Sequence, residues 1–329
     1  LSNADFGSFT NGAQERLDTV FDEVGIIDLS AELQTLGGAT TNYLNWGTSI
    51  FGSVDNVGRF YPASFDLEPA TVPIISRPQA KAQGAMCLMP SDDFTYMGED
   101  FAIAGILEAQ NALGVRTRNY VDNYATTKFD NAKLVGAFSA FVQLAGPDTN
   151  LSTRLAASTT SAPSITWPAN TANTADRGRG VLGGRLRFNR QASGVEDGPF
   201  PALSIGISAQ DEDMAAIELG VDLDEVLPLA NDTALIGSEA FRYGRLLIDN
   251  AYGPEEEPLG IPFQIQYWDG SQFVLNTDDS CTTLTYDAAG AGTPASRSVR
   301  LLTDAGSYED NLNDGDVAIE QPSLTAGTD

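Results

Sequence analysis

The chain has 329 residues, 42% of them hydrophobic, which is more than one small core usually organises, so two domains are expected. Acidic residues outnumber basic ones 45 to 18, and the resulting formal charge of −27 repels phosphate, arguing against nucleic acid and anionic membrane surfaces as partners. Histidine is absent, which excludes Ser-His-Asp and Cys-His catalysis and His-ligated zinc and leaves paired-carboxylate chemistry, as in glycosidases, or no chemistry at all.

With 32 Gly, 16 Pro, many Thr, Ser, Asn and Asp and no long helical period, the chain reads as short strands joined by turns. The expected class is all-β: two tandem antiparallel β-sandwich (Ig-like) domains with long turn-rich loops. No apolar run reaches 18 residues, so no segment is expected to insert in a membrane. No signal-peptide pattern opens the chain; a protein kept inside the cell and an excised mature fragment both fit.

Residues 1–16 are polar and without period. The first domain is placed at 17–148. In it Ile27, Leu29 and Ala31 alternate with Asp28 and Ser30 as a half-buried strand, and Val57 to Tyr61 make a compact strand ended by Pro62. Residues 69–84 hold three prolines and read as a loop or sheet edge. Phe101, Ile103, Gly105, Leu107 and Ala109 alternate into a turn at 111–114, and Leu134 to Val142 closes this half with another alternating run.

Residues 149–179, rich in Thr, Ser, Ala and Asn, read as a linker or long loop with Trp167-Pro168 as its bulky feature. The second domain is placed at 180–329. Gly184-Arg185-Leu186-Arg187-Phe188-Asn189 followed by alternating Leu203, Ile205 and Ile207 resembles Gly244-Arg245-Leu246-Leu247-Ile248-Asp249 followed by Phe263, Ile265 and Tyr267, which suggests a repeated hairpin. Asp269-Gly270 between Trp268 and Phe273 is a strong hairpin signal. A short helix is expected within 211–236 and an edge strand near 317–319.

Several blocks are similar to a known family. FDEVGIIDLSA at Phe21, VGRFYP at Val57, FTYMGEDF at Phe94, NALGVRTRNY at Asn111 and GRLLIDNAYGPEEEPLGIPFQIQYWDGSQFVLNTDDSCT at Gly244 resemble the carboxy-terminal region of MshQ-like proteins, encoded with the mannose-sensitive haemagglutinin type IV pilus. The resemblance implies a secreted, cell-surface, β-rich and non-enzymatic component of pilus biogenesis or adhesion, with pilus subunits or other envelope proteins as partners. The concanavalin-type domain of larger members has no counterpart here, and the family supplies no catalytic residues to transfer. A carbohydrate- or surface-binding module is the alternative.

Candidate site residues follow from residue type. Cys87 and Cys281 are the two cysteines. A disulfide between them would close a loop of about 200 residues and stabilise by roughly 5 kcal/mol in the chain-entropy account; two small buried hydrophobes, or half-cystines with partners elsewhere, are the other readings. Asp278-Asp279 and Asp211 with Asp213 are candidate Ca²⁺ ligands, since Ca²⁺ gathers six to eight oxygens from flexible acidic loops, although adjacent Asp residues in turns more commonly cap backbone amides. At 310–316, Leu312 falls where a calcium loop of the EF-hand type needs oxygen, so that motif is rejected. Tyr267 and Trp268 are the candidate glycan platform, against a packing role in which Trp268 meets Phe273 across the hairpin. Arg59, Arg185 and Arg245 each follow a glycine and are expected to pair with carboxylates.

Overall fold

A computed structural model describes residues 10–11, 13, 15, 20–32, 51–78, 93–121, 135–142, 149–169, 171–211, 213–217, 233–254, 260–282, 301–302 and 308–309, with residues 32, 135–142, 301–302 and 308–309 described as backbone alone. Strands dominate it. In chain order they are β1 (Gly25–Glu32), β2 (Phe51–Phe60), β3 (Ser64–Ile75), β4 (Thr95–Tyr96), β5 (Asp100–Gln110), β6 (Val135–Val142), β7 (Thr149–Asn150), β8 (Leu155–Ala157), β9 (Ser164–Thr166), β10 (Arg179–Phe188), β11 (Phe200–Gln210), β12 (Ala234–Arg242), β13 (Gly244–Ile248), β14 (Phe263–Trp268), β15 (Phe273–Leu275), β16 (Leu301–Leu302) and β17 (Tyr308–Glu309). The all-β class expected from composition holds.

The chain divides into two compact units: residues 1–78, 94–244 and 267–273 form the first, and residues 79–93, 245–266 and 274–329 the second. The first contains two five-stranded sheets. One runs β3-β5-β10-β8, with β9 also on β10; the other runs β4-β12-β11-β6-β7. Pairing is antiparallel apart from the short parallel match of β4 with β12.

Period-two patterning places the core. Along β5, Phe101, Ile103, Gly105, Leu107 and Ala109 are buried while the residues between them are half-exposed. Leu182, Leu186 and Phe188 of β10 join them from the same sheet, and Leu203, Ile205 and Ile207 of β11 with Ile236 and Phe241 of β12 come from the other. All belong to one hydrophobic cluster, so the two sheets share a single core in a sandwich-like arrangement. Burying each such side chain contributes about 1.5–3 kcal/mol. Pro69 and Pro73 sit on β3, an edge strand whose register with β5 slips between Pro69 and Ile74, the setting that tolerates proline's missing donor.

The sheets do not divide at 149–179. That stretch carries β7, β8 and β9, and β10 lies between β5 and β8. The second sheet takes β6 from before the stretch and β11 and β12 from after it. Its polar composition misleads because a few apolar residues suffice: Trp167 is buried, edge-on to Tyr120 at 4.6 Å, and Leu151, Leu155 and Ile165 pack on the core. The repeated-hairpin reading is also corrected. β13 and β14 are neighbours, but β10 and β11 belong to different sheets, so the similar sequences sit in unlike surroundings.

Asp249 N donates to Pro262 O at 3.0 Å and Asn276 N to Ile265 O at 2.8 Å within the three-stranded sheet β13-β14-β15. The Asp269-Gly270 hairpin is present: Asp269 N donates to Gln272 O at 3.0 Å, and Gly270 takes φ 105°, a conformation that favours glycine. The alternation of Leu246 and Ile248 with Arg245, Leu247 and Asp249 reads as a half-buried strand, but on β13, an end strand of its described sheet, Leu246 and Ile248 are 42% and 56% exposed. The helix expected within 211–236 and the strand near 317–319 fall largely or wholly outside the described residues.

Candidate functional site

The most chemically dense place holding sequence-flagged residues is the turn after β11, where Asp211 and Asp213 meet the NALGVRTRNY loop and β2. The loop is a built turn. Asn111 Oδ1 accepts from Leu113 N at 2.9 Å and Val115 N at 3.0 Å, and the Glu23 carboxylate accepts from Arg118 N and Asn119 N, each at 3.1 Å. This delivers Tyr120 into the core, with its ring 5.2 Å from Phe65 and its hydroxyl donating to Asp211 Oδ2 at 3.3 Å. Asp211 Oδ1 accepts from Asp213 N at 3.0 Å and Ala215 N at 2.9 Å. Arg59, from β2, grips both oxygens of Asp213 at 2.7 and 2.8 Å.

Burial raises the Asp211 carboxyl above its ordinary range, and the amides of Ala215 and Asp213 pull it partway back. Burial first, and then the negative charge of Asp211, push the Tyr120 phenol up, so it stays protonated and donates. The arrangement is therefore a cap: two carboxylates whose oxygens already accept from protein donors. Arg59 pairs with a carboxylate, as its sequence context suggests.

The other flagged acids behave alike. Asp279 Oδ1 accepts from Cys281 N and Thr282 N, both at 2.9 Å, and Oδ2 accepts from the Thr282 hydroxyl at 2.5 Å, which is the capping role. Asp278 precedes it in the same turn. Among the described residues no three acidic, cysteine or histidine side chains come close enough to hold a metal ion together. Cys281 is buried; Cys87 lies outside the described residues.

The aromatic candidates are engaged in packing. Trp268 stands 5.4 Å from Phe273, edge to face, and Tyr267 lies under the Arg242 guanidinium at 4.6 Å. Arg242 also covers Phe94 at 4.2 Å, and Arg77 covers Phe94 at 5.4 Å and Tyr96 at 5.1 Å. Sequence reasoning missed this group. Its members are scattered from 77 to 267, and the one local signal is that arginine and aromatic residues sit at neighbouring strand ends.

Family models add a placement. Residues 23–228 match the third domain of DUF6701, and residues 242–322 match its fourth domain. The chain belongs to the DUF6701 family. The two DUF6701 domains meet between 228 and 242, far from the 149–179 stretch, in keeping with sheets that draw strands from both sides of it. Comparisons with curated proteins and with solved structures gave no significant match.

Proposed function

We propose that this DUF6701 chain is a non-enzymatic module of a type IV pilus system of the mannose-sensitive haemagglutinin kind, secreted to the cell surface and serving there as a structural, assembly or adhesive component. The specific partner class is pilus subunits or other envelope proteins. The reading is drawn from the MshQ-like sequence blocks. What supports it in the geometry is the use of the flagged acids: Asp211, Asp213 and Asp279 each hold a turn or tie two segments, which is the work of a scaffold.

The test is an in-frame deletion of the coding region in its host, complemented by the intact gene. Fewer surface pili by electron microscopy, or weaker attachment to a surface at equal pilus number, is the expected result. Pilus number and attachment both equal to the parent would overturn the proposal. A glycan array probed with the purified chain separates the carbohydrate-binding alternative, which requires saturable binding of a defined sugar.

A further inference from the structure

Within the first unit, β7 is the end strand of the sheet β4-β12-β11-β6-β7. It pairs with β6 at two positions, Phe141 with Asn150 and Val142 with Thr149, and both of its residues are exposed. Leu151 then turns inward to pack on the core, and a single turn of 3-10 helix (Ser152–Arg154) leads into β8. Arg154 anchors that turn: its guanidinium covers the Phe188 ring at 4.2 Å, donates to Asn189 O at 2.9 Å and pairs with Asp197. Leu151 and Arg154 are thus tied to the sandwich, and Asn150 beside them faces water.

The Asn150 side chain is used differently from those of Asn111 and Asn119. Asn111 Nδ2 donates to Asp22 O at 3.2 Å and Asn119 Nδ2 to Val24 O at 3.4 Å, each tying together distant segments. Asn150 Oδ1 accepts from Ser152 N at 2.9 Å, which closes a local turn, and its Nδ2 donates to no partner among the described residues. The sequence at this point is Asp148-Thr149-Asn150-Leu151-Ser152. Asparagine followed at the second place by serine or threonine, with no proline between, is the acceptor triplet of N-linked glycosylation on the surface of secreted proteins. The chain holds two such triplets, this one and Asn231-Asp232-Thr233, which lies largely outside the described residues. Two positions before the asparagine the first has Asp148 and the second Leu229, and an acid there extends the triplet to the form that bacterial oligosaccharyltransferases accept.

We propose that Asn150 is a glycosylation site, carrying an N-linked glycan transferred by an oligosaccharyltransferase; this rests on the reading of the chain as secreted to the cell surface. In the transfer Nδ2 attacks the anomeric carbon of a lipid-pyrophosphate-linked oligosaccharide. The carbon–nitrogen bond forms, the bond from that carbon to the pyrophosphate oxygen breaks, one amide proton leaves the nitrogen, and the lipid pyrophosphate departs. Nothing is oxidised or reduced. The turn suits the product as well as the reactant: Nδ2 begins with two hydrogens and keeps one, and Oδ1 keeps its bond from Ser152 N, so the folded chain gives up no contact of its own. A hydrated glycan beside the end strand of a sheet also obstructs edge-to-edge pairing with another chain.

Mass spectrometry of the full chain expressed in its own host, after fractionation of the cells, tests this. In the exported chain the peptide containing Asn150 is expected to gain the mass of a whole number of sugar residues, with fragmentation leaving the first sugar on Asn150. Ser152→Ala keeps the asparagine and removes the hydroxyl that the transferase reads, and is expected to lower occupancy roughly tenfold, whereas Ser152→Thr retains it. Asn150→Gln is expected to abolish the added mass. An exported chain whose Asn150 peptide has its unmodified mass overturns the glycan and leaves the cell-surface reading standing. A chain confined to the cytoplasm overturns both. Equal occupancy in the wild type and Ser152→Ala also overturns the proposal, because a transferase of this class depends on that hydroxyl.

Discussion

Asp211 shows how far a residue type can be read without its neighbours. An Asp two positions before another Asp suggests a cation ligand, but the oxygens of Asp211 accept from two amides and a phenol, and those of Asp213 from a guanidinium. The phenol and the guanidinium come from 91 and 154 positions away, beyond any local pattern, whereas the two amides lie within the same turn. A pH prediction follows. The carboxyl is raised above its ordinary 3.8 in the folded chain, so between that value and the raised one the folded state binds more protons than the unfolded state. Stability then falls as pH climbs through the window, and the charged form at neutral pH is the less favourable one. Asp211→Asn keeps an oxygen for the two amides and cannot ionise. The urea midpoint of the wild type is expected to gain on that of Asp211→Asn as pH drops from 7 to 4, and a constant gap would show that burial of this carboxyl carries no linkage.

At the scale of elements, legibility tracked burial on one face. β5 shows an unbroken alternation and was readable residue by residue, as was the β14–β15 turn from Asp269-Gly270. β13 has the same alternation in sequence, yet Leu246 and Ile248 stand half in water, and whether a sheet face is covered is a property of neighbours. The β1–β2 ribbon makes the point energetically. It forms a sheet of its own, and two strands alone are marginal in water. It is held to the rest by Val24 and Ile26 at the core, Glu23 on the 118–119 amides and Arg59 on Asp213. Arg59 is partly exposed, and such a pair contributes about 1 kcal/mol or less. Arg59→Gln is therefore expected to leave the global urea midpoint almost unchanged while amides of β1 and β2 exchange faster. A large fall in the midpoint would mean that the ribbon is cooperative with the core.

Over the whole molecule, composition was the most dependable guide to class and the least dependable to division. Gly, Pro and the turn-formers announced an all-β chain, but the polar 149–179 stretch was no boundary, since a sheet is defined by pairing between distant segments and β10 pairs with β5 and β8 alike. Charge also acts at this scale. With 45 acidic and 18 basic residues, 45 − 18 = 27 carboxylates have no cation to match even if every cation is paired. Several arginines are committed in pairs such as Arg154 with Asp197, Arg187 with Asp100 and Arg179 with Glu68. Folding brings the excess negative charge together, and this repulsion is long-ranged when salt is low, with a screening length of about 30 Å at 0.01 M against about 8 Å at 0.15 M. The melting temperature is thus expected to rise on raising salt from 10 to 150 mM, the reverse of a protein held chiefly by surface ion pairs, whose stability salt weakens. Sodium and choline chlorides at equal ionic strength distinguish the cause. Equal rises identify screening of the net charge, whereas a rise with sodium alone would point to ion binding at specific carboxylates and refute the screening account.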